Sequence, residues 1–166
     1  MKSIRVLALF AGAFLLLAPA AQAQQQDLLR PAYSSIMLGA SIPQDTALNS
    51  EFAFFLVQGF MVNPYVGFQA ELGGFSTSDN NDLVTKAEGI GISIKLSLPL
   101  DFIEPHLLAG ADLDWNHWGF PMHAAVGVNV NFGTLQIGVE ARQVWYEADG
   151  LNLDGLMVME KISFRY

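Results

Sequence analysis

Leu156-Met157-Val158-Met159-Glu160-Lys161-Ile162-Ser163-Phe164-Arg165-Tyr166 alternates. Leu156, Val158, Glu160, Ile162, Phe164 and Tyr166 share one face. Met157, Met159, Lys161, Ser163 and Arg165 share the other. A period of two marks a β-strand whose faces meet different surroundings. An aromatic strand at an open sheet edge invites aggregation, whereas a barrel that pairs its last strand with its first has no edge. The competing reading is the last strand of a soluble sandwich, and the rest of the chain weighs against it.

The chain begins with a targeting pattern. Lys2 and Arg5 precede a continuous apolar run over 6–18, and Ala21-Gln22-Ala23 is a small-x-small cleavage site. The run is too short to span a bilayer, which takes about 20 apolar residues. Residues 1–23 are therefore read as a secretory signal peptide and 24–166 as one mature domain. Removing Lys2 and Arg5 leaves 6 of the 8 basic residues against 16 acids, taking the formal charge from -8 to -10. So acidic a chain lacks the basic surface of a nucleic-acid binder. It contains no cysteine, so disulfides cannot supply its stability. Hydrophobic residues make up 52% of the sequence, yet the mature part has no run long enough for a transmembrane helix. Alternation is the remaining way to distribute so much apolar side chain.

Alternation recurs along the chain. Over 33–42, Ile36, Leu38, Ala40 and Ile42 oppose Ser35, Met37, Gly39 and Ser41. A polar loop is expected over 43–50. Residues 51–62 are apolar on both faces and leave their orientation open. Asn63-Pro64 signals a tight turn, followed over 65–75 by Val66, Phe68, Ala70 and Leu72 against Gly67, Gln69, Glu71 and Gly73. The longest polar loop is expected over 76–88. Over 89–100, Ile90, Ile92, Ile94, Leu96 and Leu98 oppose Gly91, Ser93, Lys95 and Ser97. A turn over 99–105 leads into 106–115, where Leu107, Ala109, Ala111, Leu113 and Trp115 oppose Leu108, Gly110, Asp112 and Asp114. An aromatic loop over 116–122 precedes a strand over 123–132. Gly133-Thr134 is a short turn, the strand over 135–146 follows, and a last loop spans 147–155.

Eight strands of this length suit a tilted crossing of a bilayer, which takes about 9–11 residues. Connections after the second, fourth and sixth strands are short; the others are longer and polar. One face is aliphatic with aromatics near its ends. The other carries Gly, Ser, Asn, Gln and charge, the reverse of a soluble barrel. The fold class is all-β: an eight-stranded antiparallel transmembrane β-barrel with short periplasmic turns and longer extracellular loops. Trp115, Phe132 and Trp145 are expected in an interfacial aromatic girdle.

The sequence resembles the small eight-stranded outer-membrane barrels of Gram-negative bacteria, similar to the transmembrane domain of outer-membrane protein A. The resemblance rests on the signal peptide, on Gly59 to Pro64 leading into Tyr65-Val66-Gly67-Phe68-Gln69-Ala70-Glu71-Leu72-Gly73, and on Phe164-Arg165-Tyr166. It implies location in the cell outer membrane, contact with its lipid and lipopolysaccharide, and a monomer. It also implies that Phe164 and Tyr166 form the signal read by the barrel assembly machinery. Glu160 departs from the pattern, since an apolar residue is expected there.

A barrel of eight strands is just wide enough for its own side chains. The inward set includes Glu71, Lys95, Asp112, Glu140, Arg142, Lys161 and Arg165. Buried charges must be paired, so an ion-pair network is expected, with Glu140 and Arg142 partnering Lys161 and Glu71. Such a network plugs the lumen; a narrow small-solute channel or ligand-binding barrel is the alternative, and a soluble lipocalin-like binder a third. No cofactor or metal site is expected. The acidic outer loops lack the spacing of a calcium loop. The lipid A deacylases, barrels of similar size, carry a His-x-Ser pair; here His106, His117 and His123 are followed two residues on by Leu108, Gly119 and Ala125. Catalysis is therefore not expected, and the role is read as structural or surface interaction.

Overall fold

The computed structural model describes residues 32–79, 84–148 and 150–166. Residues 1–31, which include the proposed signal peptide, residues 80–83 of the expected 76–88 loop, and Asp149 lie outside the described residues. The strands are β1 (Ala32–Pro43), β2 (Leu48–Met61), β3 (Val66–Asp79), β4 (Val84–Ser97), β5 (Ile103–Asp114), β6 (Met122–Phe132), β7 (Leu135–Trp145), β8 (Glu147–Ala148), β9 (Leu151–Asn152) and β10 (Gly155–Arg165). They form a closed antiparallel barrel in the order β1-β10-β7-β6-β5-β4-β3-β2, while β8 and β9 pair separately in the last loop.

The seam lies where the terminal strand predicts it. β10 pairs β1 from Tyr33↔Arg165 to Pro43↔Gly155, and the Tyr166 amide donates to the Ala32 carbonyl at 3.0 Å. Along β10 every second side chain is buried: Met157, Met159, Lys161 and Ser163 point inward. Leu156, Val158, Ile162 and Phe164 point outward and are exposed. β1 repeats this, with Ser35, Met37 and Ser41 inside and Ile36, Leu38 and Ile42 outside. The faces are thus inverted relative to a soluble barrel.

Short turns occupy one end of the barrel. At 62–65 the Asn63 side-chain oxygen accepts hydrogen bonds from the amides of Tyr65 (2.8 Å) and Val66 (2.9 Å), fixing the turn that Asn-Pro announces. At 133–134 Gly133 has φ +69°, a left-handed conformation that glycine adopts without penalty. Gly59 is needed for space: a Cβ there would lie 2.0 Å from the Tyr33 ring, which folds across the lumen above it.

Several boundaries differ from the sequence reading. β2 starts at Leu48, inside the expected 43–50 loop, and its orientation is settled: Ala53, Phe55 and Val57 face inward, Phe52, Leu56 and Phe60 outward. Both faces are apolar because the inward set joins an apolar cluster with Met37, Phe75, Val144, Met157 and Met159. Much of the expected 76–88 loop is ladder, with Ser76↔Lys86, Thr77↔Thr85 and Ser78↔Val84 paired. β5 starts at Ile103, so Glu104 belongs to a strand, not to the 99–105 turn. Leu98, expected outside, is 2% exposed, and β7 ends one residue before Tyr146. The connection over 44–47 is no longer than the turn over 62–65. Excess loop length is therefore found over 115–121 and 146–154 rather than evenly at the far end. Strand pairing needs only backbone groups, so a hairpin wetted on its outer side continues the ladder while losing the apolar pattern.

Candidate functional site: the charged lumen

Arg142, on β7, is fully buried and organises the lumen. Its guanidinium donates to Glu71 Oε2 at 2.6 Å and to Glu140 Oε1 at 3.1 and 2.9 Å, and lies 4.9 Å above the Phe55 ring. Glu71 is on β3, four strands from β7 in either direction around the barrel. The Arg142–Glu71 pair therefore bridges opposite walls of the barrel.

A second node forms nearer the short turns. Glu104 Oε1 accepts from Lys95 Nζ at 2.7 Å and from Ser97 Oγ at 3.2 Å. Its Oε2 accepts from Arg165 and, at 3.5 Å, from Gln136. His106 links the two nodes, its Nε2 lying 3.4 Å from Glu140 Oε2 and its Nδ1 3.5 Å from the Glu104 carbonyl. Tyr33 donates to Gln69 at 2.7 Å, and Gln69 to Glu71 at 2.8 Å.

The expected lumen residues are thus brought together, with one difference in pairing. Glu71, Lys95, Glu140, Arg142 and Lys161 are buried within the barrel, and Arg165 reaches in from the end of β10. Asp112 lies towards the loop end, where its Oδ2 meets His123 Nδ1 at 3.1 Å. Arg142 takes both Glu71 and Glu140, so Lys161 is not bonded to Glu140 as expected. Lys161 Nζ has no hydrogen-bond partner and lies 5.5 Å from the Tyr33 ring centroid, which Lys95 Nζ also faces at 4.9 Å. A desolvated cation–π contact stabilises by about 2 kcal/mol. Burying an ammonium costs several kcal/mol, so the ring alone does not offset Lys161.

Glu104, His106 and His123 were missed as lumen groups. The alternation that puts Leu108, Gly110 and Asp112 inside extends back to His106 and Glu104, but Pro105 reads as a turn. His123 joins a chain with triad-like connectivity: Ser93 Oγ lies 2.8 Å from His123 Nε2, and His123 Nδ1 3.1 Å from Asp112 Oδ2. Ser93 Oγ is also 2.7 Å from Glu71 Oε1. Its one hydrogen serves either neighbour, so a carboxylate competes for the proton a general base would take. Ser93 is 3% exposed; a space of about 20 Å³ between Glu71, Phe55, Asp112 and their neighbours is lined by neither Ser93 nor His123. That is room for roughly one water.

At the loop end Asp114 gathers the 115–121 connection. Its carboxylate accepts from Tyr146 Oη (2.7 Å) and from the amides of Asn116 (2.9 Å) and Glu88 (3.2 Å), and meets His117 Nδ1 at 2.8 Å. This holds Trp118, at φ +52°, exposed beside Phe120. The girdle candidates Trp115, Phe132 and Trp145 all face outward and exposed, Trp115 and Trp145 at the loop end and Phe132 at the turn end. Phe164 and Tyr166 are exposed at the turn end too, and Tyr166 Oη accepts from Gln58 at 2.8 Å. The acidic loop residues serve local bonds: Asp45 accepts from the Ala47 amide, Glu51 from Ser78, and Asp154 from the Tyr146 amide. Among the described residues no group of three or more His, Asp or Glu is arranged to hold a metal ion.

The fold is that of the small eight-stranded outer-membrane barrels. Neisserial surface protein A superposes with a TM-score of 0.65 at 10% sequence identity, over 81% of this chain and 97% of that one. Ail, the attachment invasion locus protein of Yersinia pestis, superposes with a TM-score of 0.54 at 12% identity, over 82% and 100%. Both are eight-stranded outer-membrane barrels. No family model and no curated protein matches the sequence.

Arg142→Leu strands two buried carboxylates and is expected to destabilise the refolded barrel by about 3–5 kcal/mol in urea unfolding. Adding Glu71→Gln is expected to restore part of that loss. An Arg142→Leu barrel as stable as the parent would remove this residue from the centre of the lumen network.

Proposed function

We propose that this chain is an integral protein of a Gram-negative outer membrane, exported behind a cleaved signal peptide, with a structural or surface-interaction role rather than transport. The observation that carries the reading is the apolar belt around a closed barrel. Ile92 is 73% exposed, Phe68 53% and Val139 51%, while Arg142 inside is 0% exposed. β1, β2, β3, β4, β6, β7 and β10 each present large exposed apolar side chains, and β5 presents Ala109 and Ala111. A soluble monomer rarely exposes a continuous apolar patch above a few hundred Å². Lipid removes the belt from water, and the closed barrel presents no open strand edge to the bilayer. The same belt disfavours a soluble lipocalin-like binder, whose apolar face lines a cavity.

Side chains that reach across the lumen support the non-transport role. The Arg142–Glu71 pair crosses the bore, and the apolar cluster of Met37, Phe55, Phe75, Met157 and Met159 fills the loop side. The surface role rests on the loop end, where Trp118 and Phe120 stand 78% and 72% exposed. Both structural relatives are named for the cell surface or for attachment, in keeping with this reading. Assembly through the Phe164 and Tyr166 signal, and contact with lipopolysaccharide, belong to the same proposal.

The membrane reading is tested by substitution on the belt. Ile92→Lys is expected to cost about 2–4 kcal/mol in lipid vesicles, whereas an exposed site on a soluble protein shifts stability by about 0.5 kcal/mol or less. Glu160, exposed between Leu38 and Val139 in the register, gives the reciprocal case: Glu160→Leu is expected to stabilise the barrel in lipid. Neutral effects at both positions would overturn the membrane reading. In planar bilayers the intact protein is expected to show no stepwise conductance; regular openings would establish the narrow-channel alternative instead.

A further inference from the structure

The lumen half nearest the short turns holds hydrogen-bond donors that no protein acceptor answers. Lys161 Nζ, Asn129 Nδ2 and Arg165 Nε are buried and without hydrogen-bond partners, against one such acceptor there, Asn129 Oδ1. Lys161 is 1% exposed and Asn129 0%. They lie on one row of the wall. Lys161 pairs with Gly138, Gly138 with Asn129, and Asn129 with Glu104. Gly138 puts no side chain between the ammonium and the amide. The Asn129 amide leans over it, since a Cβ at Gly138 would lie 2.3 Å from Asn129 Oδ1. Arg165 comes to the same row through its bond to Glu104.

The carboxylates nearby are already engaged. Glu104 binds Lys95 and Arg165, and Glu140 binds Arg142 and meets His106. Lys161 meets no carboxylate within ion-pairing distance among the described residues; its neighbour is the Tyr33 ring. Water brings as many donors as acceptors, so it does not correct an excess of donors beside a buried positive charge. A monovalent anion accepts only and carries the opposite charge.

We propose that the lumen holds a small monovalent anion, of the size of a halide, between Lys161 Nζ and the Asn129 amide. The site goes beyond the surface role above and does not depend on what the loops bind. It makes the barrel's stability a function of halide concentration, because the ion binds the folded chain and not the unfolded one.

The test uses the mature protein refolded in detergent micelles, with sodium bromide exchanged against sodium gluconate at constant ionic strength. The melting temperature is expected to rise with the logarithm of bromide concentration. Lys161→Met is expected to abolish that rise while the variant still folds. Crystals of the unaltered protein soaked in bromide are expected to show an anomalous peak within hydrogen-bond reach of Lys161 Nζ, a readout that needs no variant. Equal melting in bromide and gluconate would overturn the proposal, leaving water or a neutral amine. An unchanged bromide dependence in Lys161→Met would reduce it to a general salt effect, and the lack of a peak at Lys161 would overturn it equally.

Discussion

Closure of β10 on β1 constrains everything else in this molecule. Once the ladder from Tyr33↔Arg165 to Pro43↔Gly155 is made, no strand edge remains, and each strand side chain must point either into a narrow bore or away from it. The period of two then sorts the residues without exception for long stretches. Met157, Met159, Lys161 and Ser163 have nowhere to go but inside; Leu156, Val158, Ile162 and Phe164 have nowhere but out. A one-residue slip at the seam would turn Lys161 to the outside and Ile162 into the bore. The charged lumen favours this register, in which Arg142, Lys95 and Arg165 all find carboxylates.

The interior is thus built on two kinds of filling. β1, β2 and β10 contribute an apolar cluster around Met37, Phe55 and Met159. β3, β4, β5 and β7, with Arg165 from the end of β10, contribute the ion pairs, anchored on Glu71, Glu104 and Glu140. Buried ion pairs are weak sources of net stability, but breaking one is costly. The proposed plug of such side chains differs from a solute pathway, where groups must be free to exchange partners with water. Ser93, His123 and Asp112 line up in the same interior, and Glu71 shares the serine hydroxyl.

Much of this was legible in the residues. β1, β4, β6, β7 and β10 alternate between aliphatic and small or polar side chains, and two solvents of opposite polarity impose that pattern directly. β2 was not legible, because Phe55 and Val57 fill an apolar part of the bore and remove the contrast between faces. The β3–β4 hairpin beyond Phe75 was not legible either, since polar residues such as Ser76 and Lys86 continue the ladder through backbone pairing without an apolar alternation. Within the lumen, Arg142 and Glu71 followed from inward parity and the need to pair charge. Partners across the bore did not follow, because they depend on tilt and side-chain reach rather than on sequence order. That is why Arg142 takes both carboxylates and Lys161 is left to Tyr33, and why Glu104 was hidden behind Pro105.

The central claim is a closed barrel with its apolar face in lipid. Its most direct measurement is electrophoretic: express the full-length chain in a Gram-negative host, isolate the outer membrane, and compare boiled with unboiled samples on a denaturing gel. A closed ladder without edges should resist detergent until heated, so the unboiled band should migrate differently from the boiled one, and both should come from the outer-membrane fraction. A soluble periplasmic product whose migration ignores boiling would contradict the account and return the apolar face to the inside of a water-soluble barrel.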